Sequence, residues 1–299
     1  MKTKVLKLPI KGNYSVVTLG IGYFDGLHLG HQELIKRVLQ EAKKTGTKSA
    51  IFTFSPFMHR VLGKKYLDGE LTPLEFKLEK LKQLGIEICY ILDFNMEMAK
   101  LSPEAFLETV LKPLNIKTII CGSDFRFGHL GKGGIKELNA MFKTLVVPLL
   151  EVYGQKVSST TIYQYLKEGK VQKIPDFLGD YYTFTGIVIK GLGNGKKLGI
   201  NTANMEAGAF VLPKNGVYKV RVQVQGKEYW GLANVGCHPS IDKLSKNIVE
   251  VHILNFNQQI YGQAIRVKFH EFIREERKFA SLEELKKQIK LDTFLHFKD

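Results

Sequence analysis

The chain has 299 residues, a length that suggests two domains of ordinary size. With 44% hydrophobic and 24% charged residues its composition is globular, which excludes a disordered or fibrous chain. Three cysteines without a C-x-x-C pair exclude a disulfide framework and a zinc ribbon, and neither a signal peptide nor a membrane-spanning apolar run is evident. We therefore expect a cytoplasmic protein that does not enter the membrane.

The net charge of +15 is spread along the chain rather than gathered in a basic arm. Such a charge attracts nucleic acid, acidic membrane surfaces or phosphorylated small molecules. Most of the basic residues are lysines, whereas recognition of bases favours arginine, and no interleaved run of aromatics and arginines is evident. An RNA- or DNA-binding protein is therefore the less favoured interpretation, and we expect anionic small-molecule substrates and no nucleic acid partner.

Short apolar runs alternate with amphipathic segments through the first half, which is the pattern of a parallel α/β sheet. Five strands are predicted over residues 16–22, 49–54, 88–92, 118–122 and 145–150. Helices are predicted between them over residues 30–44, 72–84, 102–111 and 135–142. A doubly wound sheet of this kind binds its ligand beyond the carboxyl ends of its strands.

The second half of the chain has a different pattern of apolar and polar residues. Two short helices are predicted within residues 158–178, and a boundary after Thr183 divides the chain into domains 1–183 and 184–299. Alternating strands with Gly-rich turns then predict a small antiparallel barrel, with strands over residues 184–190, 216–225, 227–235, 247–254 and 261–269. A last helix is predicted over residues 281–289, with Ser281 as N-cap and Glu284 completing a capping box.

One candidate site lies where the first strand runs directly into the first helix, through G-I-G-Y-F-D-G-L-H-L-G-H at residues 20–31. Gly26 and Gly30 let backbone N–H groups approach an anion at the helix N-terminus. His28 and His31 would project toward the same phosphates and stabilise the charge that grows when the α-phosphate of a nucleoside triphosphate is attacked. Two histidines at this spacing can also be ordinary surface residues, or a metal pair with Asp25 that lacks further ligands.

A second candidate site is the Gly-rich segment of residues 191–204, predicted as a loop that ends in Thr202-Ala203-Asn204. The threonine hydroxyl and the asparagine oxygen can coordinate a Mg²⁺ that bridges two phosphates, while glycine amides and Lys196 or Lys197 hold phosphate oxygens. Hairpins and bulges also use glycine, so the loop alone is weak evidence.

The first segment resembles the nucleotidyltransferase signature in the form found in bacterial bifunctional riboflavin kinase/FAD synthetases. Further motifs similar to that family's follow at residues 101–106, 122–128 and 157–160. The second segment resembles the flavokinase loop of the same family, and later matches lie at residues 234–236, 249–252, 261–262 and 274–279. The resemblance covers residues 15–292, nearly the whole chain.

This resemblance implies an α/β nucleotidyltransferase domain, a Rossmann-like parallel sheet, followed by a small antiparallel β-barrel riboflavin kinase domain with a C-terminal helix. It implies that riboflavin and ATP, with Mg²⁺, give FMN in the barrel, and that FMN and a second ATP give FAD and pyrophosphate in the α/β domain. Flavoproteins would receive the product, and the oligomeric state stays open.

The resemblance also assigns roles to individual residues. In the first domain it makes His28 and His31 catalytic, and it places ATP and its phosphates against Gly22, Phe24, Asp25, Gly26, Gly30, Asp124, Arg126, Ser158, Ser159 and Thr160. In the barrel it makes Glu250 the general base, Thr202 and Asn204 the metal ligands, Gly193, Gly195, Lys196, Lys197 and Gly199 the phosphate loop, and Asn234, Arg274 and Phe279 the flavin site.

Plainer roles for several of these residues stay open from the sequence alone. Ser159 and Thr160 can cap a helix, residues 124–127 can form an ordinary loop at a strand end, and a lone glutamate in an alternating strand usually faces solvent. Arg274 and Phe279 can simply mark the charged start of a helix.

The chain departs from the family pattern at several positions. Tyr163 replaces an arginine that could steady phosphate charge, so adenylyl transfer is the activity most in doubt. Lys197 replaces an arginine and Asn201 a proline in the barrel loop, and residues 55–58 and 237–240, including His238, also differ. Two alternatives therefore stay open: a riboflavin kinase with an eroded adenylyltransferase domain, and a non-catalytic flavin-binding regulator, which would not need Glu250 or Thr202.

Overall fold

The computed structural model describes residues 1–56, 61–63, 69–190, 202–238 and 246–297, except for the side chains of residues 237, 238, 246, 247 and 282. Contacts divide the chain into two compact units, Met1–Ser159 and Thr160–Asp299. The domain boundary after Thr183 stays a prediction.

A parallel sheet forms the centre of the first unit. Its strands are β1 (Lys2–Leu6), β2 (Val17–Ile21), β3 (Lys48–Ser55), β4 (Ile88–Asp93), β5 (Ile116–Gly122) and β6 (Thr144–Val147). They lie in the order β1-β4-β3-β2-β5-β6, and every neighbouring pair is parallel. The predicted Rossmann-like α/β sheet is confirmed. A small hairpin of β7 (Glu151–Val152) and β8 (Gln155–Lys156) follows it.

The edge strand β1 makes the sheet six-stranded, whereas the apolar pattern predicts five strands. It pairs with β4 in parallel, from Lys2 opposite Ile88 to Leu6 opposite Leu92. Its sequence KTKVL is mostly polar, and only Leu6 is buried. An edge strand needs no continuous apolar run, so the usual mark of a buried parallel strand is absent from this sequence.

Helices cover both faces of this sheet. They are α1 (Leu29–Thr45), α2 (Leu74–Gln83), α3 (Met96–Ala99), α4 (Pro103–Phe106) and α5 (Ile135–Met141). Successive strand residues enter two separate core clusters, as with Ile51 on the face of α1 and Phe52 on the opposite face. The helix predicted over residues 102–111 begins as α4 but continues as a π-helical turn at Leu107–Leu111.

The second unit contains a closed antiparallel barrel. Two helices, α6 (Ser159–Glu168) and α7 (Pro175–Leu178), precede it. Its strands are β9 (Thr183–Ile189), β10 (Thr202–Glu206), β11 (Gly216–Val224), β12 (Lys227–His238), β13 (Lys246–Ile253) and β14 (Ala264–Arg274), in the order β10-β13-β12-β11-β14-β9. Valine, alanine and aromatic side chains fill its interior, among them Val222, Val251 and Phe269. The predicted barrel is confirmed.

The Thr202-Ala203-Asn204 segment belongs to strand β10 and is not the tail of a loop, which corrects the prediction. Thr202 lies opposite His252 of β13, and Asn204 lies opposite Ile189 of β9. Ala203 and Met205 point into the barrel and are buried. The strand is only five residues long, so its two-residue alternation is too brief to stand out beside the glycines that precede it.

The C-terminal helix α8 (Leu282–His296) is longer than the predicted helix over residues 281–289. Its N-cap is as predicted, since the Ser281 hydroxyl accepts from the Glu284 N–H, although the Glu284 carboxylate accepts from Ala280 and not from Ser281. Its last turns expose Phe294 and bury Asp292, so apolar periodicity does not reveal them. In the described residues, no helix combines the length and apolarity required to cross a membrane.

Candidate active sites

The first site lies at the point where the sheet changes direction. Chain order reverses between neighbouring strands β2 and β5, and ligands of open α/β sheets bind beyond the carboxyl ends of strands at such a switch point. A cavity of about 940 Å³ opens there. Eight predicted residues line it: Gly22, Phe24, His28, Gly30, His31, Asp124, Arg126 and Ser158.

A tight turn carries the chain from β2 to α1. Phe24, Gly26 and Leu27 have positive φ angles of 57°, 79° and 48°. A non-glycine residue keeps this conformation only when its surroundings enforce it, and here the side chains of Phe24 and Leu27 are buried. The Asp25 carboxylate accepts from the backbone N–H groups of Leu71, at 3.3 Å, and Thr72, at 3.0 Å. Asp25 therefore anchors the turn from within the protein, and its role toward ATP stays a prediction.

Lys77 of α2 supports the same turn and is not predicted from the sequence. It is fully buried, and its Nζ donates to the Tyr23 carbonyl at 3.0 Å and lies 4.2 Å from the Tyr23 ring centroid. Burial lowers the pKa of Lys77, while the charges of Asp25 and Glu70 oppose this shift. The sequence contains a signal that could have identified Lys77 as a buried residue, because it occupies the apolar stripe of its helix together with Leu81.

His28 caps the N-terminus of α1. Its Nδ1 accepts from the His31 N–H at 3.4 Å, so the proton of the neutral ring lies on Nε2 and is available to a ligand. Burial lowers the pKa of His28 to about 4; Asp124 opposes this shift and Lys156 adds to it. At pH 7 the ring is therefore a neutral donor.

His31 stacks on His28, with ring centroids 3.7 Å apart. Burial lowers its pKa well below the usual range, and the neighbouring His28 and Lys77 lower it further. Its Nδ1 is buried and has no hydrogen-bond partner among the described residues. The pair is thus not an ordinary exposed pair, and no group of three His, Cys, Asp or Glu side chains that could hold a metal ion forms in the described part of the chain.

The other predicted residues of this domain differ in their placement. Asp124 accepts from Lys156 at 2.5 Å, an exposed ion pair that includes a lysine not predicted from the sequence. The Ser159 hydroxyl donates to the Asp25 carbonyl at 2.8 Å and so contributes to the turn. Thr160 is exposed and belongs to the second unit, as does Tyr163.

The second site lies on the outer face of the barrel. In the strand register, Glu250 of β13 stands between Asn204 of β10 and Asn234 of β12, so the three side chains share one face. The Thr202 hydroxyl donates to Glu250 Oε1 at 2.7 Å. Glu250 is half-buried and hydrogen-bonded, which distinguishes it from an ordinary solvent-facing glutamate.

Of the predicted flavin residues, Arg274 and Phe279 lie on and after β14, and Asn234 lies on β12. Arg274 pairs with the buried Asp292 of α8 at 2.9 Å, and its Cζ lies 5.9 Å from the Phe279 ring centroid. Asn234 Nδ2 donates to Glu276 Oε1 at 2.9 Å. Glu276 and Asp292 are not predicted as site residues; their partners come from other strands and helices, so sequence spacing does not reveal them.

All five residues of the predicted phosphate loop, and Asn201 after them, lie outside the described residues. This applies to Gly193, Gly195, Lys196, Lys197, Gly199 and Asn201. It applies also to residues 57 and 58 and to the side chain of His238. Their roles stay predictions.

A Rossmann-like sheet with imidazoles at its switch point, followed by a barrel with a glutamate among threonine and asparagine side chains, defines a two-domain ATP-using transferase. The family model of FAD synthetase matches residues 11–161, and that of riboflavin kinase matches residues 178–295. The chain belongs to the family of bifunctional riboflavin kinase/FMN adenylyltransferases.

Individual relatives agree with this assignment. The chain is 36% identical to the bifunctional riboflavin kinase/FMN adenylyltransferase of Bacillus subtilis, over 95% of this chain and 92% of the relative. It is 35% identical to that of Listeria monocytogenes, over 92% and 89%. It is also similar to the crystal structure of a protein described as a macrolide-efflux protein from Streptococcus pneumoniae, with a TM-score of 0.88 and 31% identity over the full length of both chains.

Proposed function

We propose that this chain makes FAD from riboflavin in two ATP-dependent steps, one in each domain. The observation that carries this proposal is the presence of both sites in one chain of a bifunctional family: the His28–His31 cavity at the sheet switch point, and the hydrogen-bonded Glu250 on the barrel. The two alternatives, a kinase alone and a non-catalytic flavin binder, each require only part of this machinery.

In the kinase step, Glu250 takes the proton of the ribityl 5′-hydroxyl as that oxygen attacks the γ-phosphorus of ATP. The bond from this phosphorus to the β-phosphate bridging oxygen breaks, and ADP leaves with FMN as product. The Thr202 hydroxyl holds the carboxylate in place through the 2.7 Å bond. Asn204 and Asn234 flank Glu250 in the strand register, where they orient phosphate and flavin groups.

The oxygen donors at this site fit Mg²⁺, which prefers hydroxyl, amide and carboxylate oxygens. Thr202 and Asn204 are the residues that would hold the ion. The Thr202 hydroxyl donates a hydrogen bond to Glu250 and keeps its lone pairs for a cation. When bound, the ion neutralises charge on the phosphates of ATP.

In the adenylyltransferase step, a phosphate oxygen of FMN attacks the α-phosphorus of a second ATP, and pyrophosphate leaves. The neutral His28 ring donates through Nε2 to the phosphate oxygens as their charge grows, and the N-terminus of α1 adds backbone donors. Apolar side chains in the same cavity, including Phe54, Phe125 and Phe127, suit the flavin ring system.

The same proposal places the enzyme in the cytoplasm, with domains 1–183 and 184–299. Flavoproteins would bind the FMN and FAD that it produces. The test is to incubate the purified chain with riboflavin, ATP and Mg²⁺ and to separate riboflavin, FMN and FAD over time by chromatography. Accumulation of FAD supports both steps, and FMN alone selects the kinase. With riboflavin unchanged, a repeat that starts from FMN separates a lone adenylyltransferase from a binder without catalysis.

A further inference from the structure

The C-terminal helix reaches the predicted flavin residues through one buried carboxylate. Asp292 is only 3% exposed, and a buried carboxylate is stable only when its oxygens are hydrogen-bonded. Its Oδ2 accepts from Arg274 Nε at 3.0 Å and from Arg274 Nη2 at 2.9 Å. Its Oδ1 accepts from Gln288 at 2.5 Å. Both oxygens of Asp292 are thus satisfied, and Arg274 is its cationic partner.

These contacts occupy the edge of the Arg274 guanidinium. Nε and Nη2 are committed to Asp292, and Nη1 donates to the Glu275 carbonyl at 3.1 Å. These hydrogen bonds lie in the guanidinium plane and do not occupy its faces; the Arg274 side chain is 20% exposed, and the ring of Phe279 lies 5.9 Å from Cζ. A guanidinium face stacks favourably on aromatic rings, whereas an ammonium offers no such plane.

We propose that Asp292 is a positioning residue of the flavin site: it holds Arg274 by its edge, so that the guanidinium face receives the flavin ring system beside Phe279. This inference rests on the proposed function and on the family resemblance, which assigns Arg274 and Phe279 to the flavin site. It extends the kinase site from the barrel strands to a helix whose last turns the sequence pattern does not reveal.

A second contact ties the same segment to the catalytic strands. Glu276 Oε1 accepts from Asn234, which stands opposite Glu250 in the register. The backbone of Gly236 permits this approach, because an added Cβ there would overlap the Glu276 carboxylate. The segment that carries Arg274 and Phe279 is therefore held at one end by Asp292 and further along by Asn234.

Helix α8 has other attachments that do not involve Asp292. Lys219 Nζ donates to the His296 carbonyl at 2.6 Å, and the rings of Trp230 and Phe297 lie 5.8 Å apart in an edge-on arrangement. Removal of the Asp292 charge is therefore expected to leave the helix docked and to release Arg274.

The test is Asp292→Asn, which keeps the side-chain shape and removes the charge. We expect the KM for riboflavin, and the Kd for riboflavin measured by fluorescence titration, to rise about tenfold or more, since the two hydrogen bonds that Arg274 donates to one carboxylate oxygen lose their charge assistance. We expect kcat for FMN formation to change less than about threefold. Adenylylation of FMN supplied directly reports on the other domain and is expected to stay at the wild-type rate. Glu283→Gln removes an exposed charge from the same helix and serves as the matched control.

Two further variants keep the inference falsifiable if Asp292→Asn does not fold. Asp292→Glu retains the charge and is expected to recover part of the riboflavin affinity. Arg274→Lys retains the positive charge without the plane and is expected to raise the Kd for riboflavin as Asp292→Asn does. An unchanged Kd in Asp292→Asn, or full function of Arg274→Lys, overturns this inference while wild-type FMN formation still supports the proposed function. Failure of the wild-type chain to form FMN would overturn both.

Discussion

The two candidate sites handle phosphate with residues assembled in opposite ways. In the first domain the central residues come from one continuous stretch, Gly22 to His31, which folds into a turn and the N-terminus of α1. In the barrel, Thr202, Glu250 and Asn234 come from three strands and meet only through the register. The first site depends on a local backbone shape, and the second on correct long-range strand pairing.

This difference affects how each site fails. A turn with buried Phe24 and Leu27 at positive φ is enforced by its surroundings, so distant supports such as Lys77 influence it. In the barrel, a slip of one residue would turn the Glu250 side chain to the interior, because side chains alternate along a strand. A substitution can therefore inactivate one site and leave the other intact. In each experiment the activity of the unmodified domain serves as the internal control.

The largest effect is expected from Glu250→Gln. It keeps the shape of the side chain but removes the general base, so FMN formation should fall by roughly 10²-fold to 10⁴-fold. FAD formation from supplied FMN should be unchanged, because His28 and His31 lie in the other domain. Both rates are measured by chromatography, with the exposed Glu228→Gln of β12 as control. A rate of FMN formation close to that of the wild type would exclude Glu250 as the general base.

The reciprocal break is His28→Asn, which should reduce FAD formation from FMN by about 10²-fold to 10³-fold through loss of one phosphate donor. FMN formation should be spared. Asparagine is a good N-cap, so this variant removes the imidazole ring and keeps the cap of the helix. His28→Ala would remove both the ring and the cap. Equal losses in both steps would contradict the assignment of two separate sites.

In the barrel, Thr202→Val removes the hydroxyl that donates to Glu250 and that would hold the metal ion. We expect FMN formation to fall about tenfold to a hundredfold. Thr202→Ser keeps the hydroxyl and should stay within about threefold of wild type. If valine and serine gave the same rate, the hydroxyl would have no part in the reaction.

A smaller loss of activity is expected from substitution of Lys77, the buried lysine that supports the turn of the first site. Lys77→Met removes the donor to the Tyr23 carbonyl, so the turn loses one tether and FAD formation should fall about tenfold, mainly through the KM for ATP. Lys82→Met, on the exposed side of the same helix, is the matched control. A loss in FMN formation of the same size would show general destabilisation rather than loss of turn geometry.

The same contrast between local and long-range assembly explains which features the sequence predicts. The His28–His31 turn is continuous in the chain, and alternating apolar runs predict most strands of both domains. The edge strand β1 is too polar for that pattern, and β10 is too short. Lys77, Glu276 and Asp292 are the residues hardest to find, because each gains its role from a partner on a distant element.

The smallest effect concerns pH and again separates the two domains. Burial lowers the pKa of His28 in the first domain and of His270 in the barrel to about 4. As pH falls below 6.5, the unfolded chain binds protons that the folded chain does not, so the free energy of unfolding should decrease between pH 7 and pH 5, by on the order of 1 kcal/mol for His28.

Proton NMR titration of the two rings tests this point directly. Both should titrate near pH 4 in the ligand-free protein. A non-hydrolysable ATP analogue should raise the pKa of His28, because the phosphate charge favours the imidazolium, and His28→Asn assigns the signal. Titration of His28 near pH 6.5 without ligand would mean that the ring is exposed. It would contradict the proposal that burial keeps this ring a neutral hydrogen-bond donor to the α-phosphate. The barrel histidine supplies the internal reference, because its pKa is lowered by burial and by Arg221, Lys219 and Lys268, none of which belongs to the first domain.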